Sequence, residues 1–270
     1  MTGPNETDAL WNVKKGVVWN DLNYTKLPYY QYFTDNSCDI NNKGTARFKI
    51  EYIDVPYSYK GILNHADYEI HYEKERNVIQ INFEGSKEGV DWITNFIFLP
   101  KYYDTFVFNN KKITLRVHTG WAFMYKAIKH QVRDKVKESK DLYPHSNIEI
   151  VGWSLGSGQA MLCAQDLYYN LGVKSYLYTF GSVNPFKTNI FNRSKILKYL
   201  RGCCYNIYNF CDRSDIVTYA VPRIFGFVKL RRVNLKGRFK FFGLFRPLKY
   251  HLEYDSEYKY TKIYKRESKI

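Results

Sequence analysis

The sequence of 270 residues lacks the features that define several large classes of protein. It contains no run of about 18 apolar residues, which excludes a membrane-spanning helix. Its first eight residues are polar and show neither a basic start nor an apolar core, so we expect no Sec-type signal peptide. We therefore expect a protein that is cytoplasmic or exported by a route other than Sec.

Cysteine is scarce and irregularly spaced. The five cysteines are an odd number, and none of their spacings is typical of a metal site. A chain of this length can also bury a sizeable core without disulfide bonds. We therefore expect the cysteines to be reduced, with no bound metal and with Cys163 acting as a small apolar residue of a helix.

The central motif of the sequence is Gly152-Trp153-Ser154-Leu155-Gly156, which has the Gly-x-Ser-x-Gly pattern of a nucleophile elbow. Such an elbow places a serine on a tight turn between a strand and a helix, where glycines let the two backbones pass closely. The flanking residues predict both elements. Asn147 to Gly152 is a short apolar, β-branched run, and apolar residues recur every three or four positions from Ala160 to Leu171, before Gly172. Ser154 is therefore the predicted nucleophile.

Strand patterns precede the elbow. An alternating pattern from Ala46 predicts a strand that ends near Val55-Pro56, and the segments Tyr68–Tyr72 and Val78–Phe83 predict a hairpin. Residues 1–45 show no pattern that we can assign. A further strand is predicted to end at His118.

Helices and strands alternate in the second half of the chain. An amphipathic helix is predicted from Trp121 to Val136, and strands over Ser175–Phe180 and Tyr205–Phe210. Elements in this order, joined by short connections, are typical of a mostly parallel sheet with helices on both faces. The prediction is a single α/β domain over residues 1–270.

A catalytic triad in an elbow enzyme runs in the order Ser, then Asp or Glu, then His. His251 is the one histidine that follows Ser154, so it is the predicted base. Asp212 and Asp215 both follow the strand Tyr205–Phe210, where a carboxylate would emerge at the catalytic edge of the sheet. We favour Asp215, but spacing alone barely separates the two. The earlier His118 is predicted to be structural, through a hydrogen bond at the start of a helix.

The loop Glu84-Gly85-Ser86 follows a predicted strand, as does the loop that supplies one oxyanion-hole N–H in hydrolases of this build. The residue after the nucleophile supplies the other N–H. Ser86 and Leu155 are therefore the predicted oxyanion-hole residues. The amphipathic segment Lys87–Phe96 is interpreted either as a lid over the site or as an ordinary surface helix.

Together these residues resemble the class 3 triacylglycerol lipase family, the fungal-type α/β-hydrolases, from about Tyr68 to Tyr258. The matching landmarks, in order, are Phe83-Glu84-Gly85-Ser86, Trp92, Val117 to Trp121, the elbow, Tyr178 to Gly181, Asp215-Ile216-Val217, Pro222 and His251. The resemblance implies that Asp215 is the triad acid, that Ser86 is the first oxyanion-hole residue and that Lys87–Phe96 is the lid. This chain departs from the family's usual residues at Glu84, Asn95 and Trp153. These departures affect the hydrogen bonds that brace the elbow and the oxyanion loop, and none of the three residues belongs to the triad.

By this resemblance the protein is a serine hydrolase of lipid carboxylic esters that works through an acyl-enzyme and needs no cofactor. A phospholipase A1 and a short-chain carboxylesterase are alternatives, because a triad names neither the alcohol nor the acyl chain. A catalytically silent α/β-hydrolase that binds lipid or nucleic acid is a third alternative.

Acidic residues are absent between Asp215 and Glu253, within a chain of net charge +15. Basic residues and phenylalanines alternate over residues 223–250, which predicts docking on an anionic lipid surface. The alternative is a hairpin, Val228 to Leu235, with a solvated basic face. Binding to nucleic acid is disfavoured, because basic charge is its only support.

Overall fold

The computed structural model describes residues 53–59, 62–73, 77–83, 100–108, 111–212, 215–219, 226–228, 230 and 232–235. Regular elements follow one another along these ranges. They are β1 Ile53–Tyr59, β2 Ile62–Glu73, β3 Val78–Phe83, β4 Pro100–Phe108, β5 Lys111–His118, α1 Thr119–Leu142, β6 Asn147–Trp153, α2 Leu155–Leu171, β7 Ser175–Phe180, β8 Phe186–Lys187, α3 Arg193–Gly202, β9 Cys204–Asp212, a 3-10 helix Ile216–Tyr219, and β10 Arg232–Leu235.

Seven of these strands form the main sheet, in the order β1-β2-β3-β6-β7-β9-β10. The pairs from β3 to β10 are parallel, and β1, β2 and β3 are joined antiparallel at one side. This confirms the predicted mostly parallel sheet and the predicted hairpin. Because β6, β7 and β9 are neighbouring parallel strands, their carboxyl ends meet at one edge of the sheet.

Helix α1 covers the face of the sheet that carries Tyr68 and Phe83. The Tyr68 hydroxyl donates to Gln131 Oε1 at 3.1 Å, and the Phe83 ring meets Tyr125 edge to face with centroids 6.3 Å apart. The predicted amphipathic helix is therefore confirmed, with its apolar stripe turned towards the sheet. Among the described helices, none has the length and apolar character required to cross a bilayer.

The predicted end of the first strand near Val55-Pro56 is wrong. Strand β1 continues through Pro56 and ends at Tyr59, which pairs with Ile62 of β2. Proline is tolerated because β1 is the edge strand of the sheet, where a missing N–H can face away from the ladder. The predicted beginning of this strand, at Ala46, lies outside the described residues.

The predicted hairpin over Val228–Leu235, the alternative for the basic segment, is also wrong. Phe227 bridges antiparallel to Lys187 of β8, whereas β10 joins β9 of the main sheet in parallel. The two parts of this segment therefore pair with different sheets. The physical reason is the free edge of β9, whose ladder β10 completes.

A small antiparallel sheet, β4-β5-β8, lies apart from the main sheet and leads through β5 into α1. The predicted strand before His118 is confirmed as β5, but it belongs to this second sheet. The four described cysteines, Cys163, Cys203, Cys204 and Cys211, are buried, and none of them forms a disulfide bond with another described cysteine. Burial raises the pKa of the Cys163 thiol well above its usual range, so this thiol is inert.

Candidate active site

Ser154 lies on a strained turn between β6 and α2. Its φ is 51° and its ψ is −118°, a conformation that residues other than glycine rarely adopt. The Ser154 N–H donates to the Phe180 carbonyl of β7 at 2.9 Å, which ties the turn to the main sheet. The structure therefore has the strand, strained serine and helix that the motif predicted.

Close backbone contact makes Gly152 obligatory. A Cβ at this position would lie 2.5 Å from the Gly156 carbonyl oxygen and 2.8 Å from the Ser157 Cα. Both obstacles are backbone atoms, so no side-chain movement would relieve the clash. The first glycine of the motif thus allows the start of α2 to pass over the end of β6.

Ser157 braces the elbow from within α2. Its hydroxyl donates to the Ser154 carbonyl at 2.5 Å and accepts from the Val183 N–H at 3.3 Å. The Ser157 N–H also donates to the Ser154 carbonyl, at 3.1 Å. The serine backbone is therefore held from the helix as well as from the sheet.

Trp121 of α1 contacts the first turn of α2. The indole Nε1 donates to the Leu155 carbonyl at 2.9 Å, and the indole is completely buried. It packs so closely that a Cβ on Gly158 would lie 2.3 Å from the same nitrogen. Sequence reasoning gave Trp121 only a place on the apolar face of a helix. Gly158, two residues after the motif, was the available signal that another side chain lies against α2.

Asp215 follows β9 and is completely buried. Its Oδ1 accepts a hydrogen bond from the Val217 N–H at 2.9 Å, and its carbonyl accepts from the Thr218 hydroxyl at 2.9 Å. These bonds fix the carboxylate at the start of the 3-10 helix. The competing residue, Asp212, is the last residue of β9 itself.

The turns that carry Ser154 and Asp215 leave the same edge of the sheet. Ser154 follows β6 and Asp215 follows β9, with β7 between them. Two strand spacings amount to roughly 10 Å. An imidazole between the two side chains can span such a gap, because its two nitrogens face opposite partners.

Leu155 is the first residue of α2. Main-chain N–H groups in the first turn of a helix have no acceptor within the helix, and the helix dipole makes this end favourable for negative charge. Phe83, the last residue of β3, pairs with Gly152 of β6. The carboxyl end of β3 therefore lies beside the elbow.

Other predicted residues of the site lie outside the described ranges. They are Ser86, His251 and the segment Lys87–Phe96. The structure places Ser154, Leu155 and Asp215 at one edge of the sheet, and the role of every predicted site residue stays a prediction.

His118 has the structural role predicted for it. Its Nδ1 accepts a hydrogen bond from the Gly120 N–H at 3.2 Å, which caps α1. The ring also packs edge to face on Trp121, with centroids 4.7 Å apart. Burial lowers the pKa of His118 to about 4, so the ring is neutral at pH 7.

The carboxylate of Asp166, on α2, binds side chains of α1 and α2. It accepts from the Tyr125 hydroxyl at 3.0 Å and from Asn170 Nδ2 at 2.8 Å, and lies 3.3 Å from Arg133 Nε. Burial raises its pKa, and the Arg133 charge opposes that rise. The network joins α1 to α2, so the Asp166 carboxylate serves the packing of the two helices.

Known proteins resemble the region around this site. The sequence model described as "Lipase (class 3)" matches residues 80–225, more than half of the chain. A lipase of Rhizomucor miehei is 29% identical over 154 residues, which cover 56% of this chain and 39% of that lipase. The match thus spans well under half of the relative's own length.

Solved structures resemble the fold. Rhizomucor miehei triacylglyceride lipase gives a TM-score of 0.61 at 21% identity, covering 84% of this chain and 81% of that one. A triacylglycerol lipase whose catalytic centre is a serine protease triad gives 0.55 at 24% identity, covering 64% and 62%. Lipase II from Rhizopus niveus gives 0.55 at 20% identity, with the same coverage. At these identities the matches establish a shared fold.

Proposed function

From the premise that this chain belongs to the class 3 lipase family and has the α/β-hydrolase fold, we propose that it hydrolyses carboxylic esters of lipids. The observation that carries the proposal is the strained Ser154 at the same sheet edge as the buried Asp215. A backbone strain of about 1–3 kcal/mol persists at a turn only where the surrounding structure enforces it, and such residues cluster at functional sites.

We assign His251 as the general base. Strand β10 is parallel to β9, so its carboxyl end, Leu235, lies at the edge that carries Asp215. His251 follows sixteen residues later, and a connection of that length can reach any point along this edge. In this role the histidine takes the Ser154 proton, while Asp215 orients the ring and stabilises the imidazolium.

The serine oxygen then attacks the ester carbonyl, and the N–H groups of Leu155 and Ser86 stabilise the negative oxygen of the tetrahedral intermediate. The protonated histidine donates its proton to the leaving alcohol. Water attacks the acyl-enzyme through the same base and releases the acid. The first turn of α2 supports this role of Leu155, because its N–H groups have no acceptors within the helix.

The finer proposals concern how the lipid reaches the site. We infer that Lys87–Phe96 forms the lid and that residues 223–250, apart from the buried Phe227, Val228 and Leu230, dock on anionic lipid, within one domain that extends over residues 1–270. The support is the basic and aromatic composition of residues 223–250 and the position of β3, whose last residue, Phe83, pairs with Gly152 of the elbow and precedes Lys87–Phe96 in the sequence.

The experiment is hydrolysis of p-nitrophenyl esters of increasing acyl length by the wild type and by Ser154→Ala. Activity that rises with chain length and increases at a micelle interface supports a lipase, whereas activity on short soluble esters alone indicates an esterase. Release of the first acyl chain from phospholipid indicates a phospholipase A1.

Labelling by a fluorophosphonate probe reports on Ser154 without a choice of substrate. Labelling of the wild type that Ser154→Ala abolishes supports the proposed nucleophile. A folded wild type that neither reacts with the probe nor hydrolyses any ester would overturn the proposal in favour of a silent binding protein.

A further inference from the structure

The loop between β8 and α3 carries the two most exposed large apolar side chains in the described part of the chain. Ile190 is 85% exposed, and its neighbour Phe191 is 90% exposed. Single exposed apolar residues are common on protein surfaces. Two adjacent ones, at the tip of a loop and almost free of contact, point to a binding surface.

The tip is held rigidly by two asparagines. Asn189 Oδ1 accepts from the N–H groups of Phe191 and Asn192, at 3.1 and 2.9 Å. The Asn189 N–H donates in turn to Asn192 Oδ1 at 2.9 Å. Such side-chain bonds fix a turn in the way that backbone bonds do. The turn therefore holds Ile190 and Phe191 in exposed positions.

Both ends of the loop are anchored. The Thr188 N–H donates to the Gly226 carbonyl at 2.8 Å, and Lys195 Nζ of α3 donates to the Lys112 carbonyl of β5 at 3.0 Å. Lys112 is six residues before His118 along β5, which corresponds to roughly 20 Å of strand. The loop thus begins beside Arg116 of β5, where Lys187 pairs, and α3 is tied to the far end of the same strand at Lys112.

The helix after the tip is basic on its outer side. Its inner side buries Ile196, Tyr199 and Leu200. The cations Arg193, Lys198 and Arg201 are exposed, and the sequence contains no acidic residue from 167 to 211. The exposed apolar pair therefore adjoins a cationic surface that no carboxylate of this stretch neutralises.

We propose that Ile190 and Phe191, together with Arg193, Lys198 and Arg201, form a docking patch for an anionic lipid surface. The transfer of apolar side chains into an apolar phase is favourable, and so is the approach of cations to anions. The headgroup boundary of a bilayer offers an apolar phase and anionic groups within the length of one side chain. The patch acts independently of the proposed ester hydrolysis and lies outside the segment 223–250.

The same observations disfavour other partners. Nucleic acid would pair with the cations and stack on Phe191, but it offers no apolar phase to Ile190. A stable protein interface buries about 800 Å² on each partner, far more than two loop-tip side chains supply.

The first test is sedimentation with vesicles of phosphatidylcholine, with and without phosphatidylserine, using the full chain as Ser154→Ala so that no lipid is cleaved. Phe191→Ser is expected to lower the vesicle partition coefficient about tenfold. The matched control is Leu142→Ser, which removes an exposed apolar side chain at the end of α1 and leaves binding unchanged. Both positions are exposed, so both variants should unfold at the temperature of the parent.

The second test separates the local patch from the overall charge of +15. Arg193→Glu/Lys198→Glu and Lys135→Glu/Lys137→Glu change the net charge equally, and all four positions are exposed. Each lost cation near an anionic surface costs about fivefold in binding, so the first pair should lose at least about 25-fold on phosphatidylserine vesicles. The second pair, on α1, should lose far less.

Insertion is measured directly with Phe191→Trp. Its added fluorescence should shift to the blue on anionic vesicles and be quenched by lipids with a spin label in the acyl chain. Equal losses from the two charge pairs would overturn the local patch, as would full binding by Phe191→Ser or an unquenched signal from the introduced indole. A dimer of the parent that Ile190→Ser/Phe191→Ser dissociates would assign the tip to self-association and would also overturn the proposal.

Discussion

The indole Nε1 of Trp121 donates a hydrogen bond to the Leu155 carbonyl at 2.9 Å. This bond joins the first turn of α1 to the first turn of α2, immediately after Ser154. The Leu155 N–H is the proposed oxyanion donor, and a displacement of a few tenths of an ångström weakens such a bond during the reaction. Trp121 is thus a positioning residue for the proposed reaction.

Replacement of Trp121 by Phe should lower kcat several-fold, with KM nearly unchanged. The variant loses a buried hydrogen bond and part of a buried ring, so the free energy of unfolding should also fall by about 1–3 kcal/mol. Ester kinetics and urea denaturation measure the two effects.

The matched control is Tyr125→Phe. It removes the bond from the Tyr125 hydroxyl to Asp166, in the same α1–α2 interface but away from the elbow. It should cost stability and leave kcat at the wild-type value. An equal fall of kcat in both variants would show that general loosening of the interface, rather than Trp121, controls the rate.

Replacement of Ser154 by glycine should stabilise the fold relative to replacement by alanine. Glycine adopts the φ of 51° without steric strain, which removes about 1–3 kcal/mol of cost. Its greater freedom in the unfolded chain returns part of this gain. We expect a net difference of about 1 kcal/mol in urea denaturation, in two variants that are both inactive. A glycine variant less stable than the alanine variant would mean that the turn is not strained.

Replacement of Asp215 by asparagine should lower kcat on the order of 10⁴-fold. The amide oxygen can still accept the Val217 N–H, so the fold should be retained, whereas the negative charge that stabilises the imidazolium is lost. Asp212→Asn is the control and should keep most of the activity. The opposite pattern, in steady-state hydrolysis of p-nitrophenyl esters, would transfer the acid role to Asp212.

The elbow could be predicted from the sequence because its determinants are local. The motif, the β-branched run before it and the helical periodicity after it all lie within residues 147–172, and β6 and α2 follow them closely. The capping role of His118 is local as well, since its partner is the Gly120 N–H.

The remaining features depend on contacts between segments remote in sequence. The passage of β1 through Pro56 is possible because that strand is at the sheet edge, and the parallel pairing of β10 depends on β9. The bond from Trp121 to Leu155 arises from the way α1 and α2 pack. Spacing alone also did not decide between Asp212 and Asp215 as the triad acid. The strand was predicted to end at Phe210, two residues before the end of β9 at Asp212, so both carboxylates were expected to follow it.

His118 should make the stability of the fold depend on pH. Burial lowers its pKa to about 4 in the folded protein, against about 6.5 in an unfolded chain. Between these values the unfolded chain binds a proton that the folded protein does not, so the free energy of unfolding falls as the pH falls from 6.5 towards 4. The contribution of this ring is fully present above pH 6.5 and amounts to about 3 kcal/mol.

His118→Asn tests this contribution, because asparagine can still cap α1 but does not titrate in this range. Urea denaturation of both proteins at several pH values gives the difference in free energy of unfolding, in which the titration of the carboxyl groups cancels. That difference should shift in favour of His118→Asn as the pH falls from 7 to 4.5. In this range the unfolded wild type binds a proton on His118 that the folded wild type does not bind, and this lowers the stability of the wild type alone. A difference that stays constant with pH would mean that the folded protein admits a charged ring beside Trp121, and the assignment of His118 as a neutral cap would then be wrong.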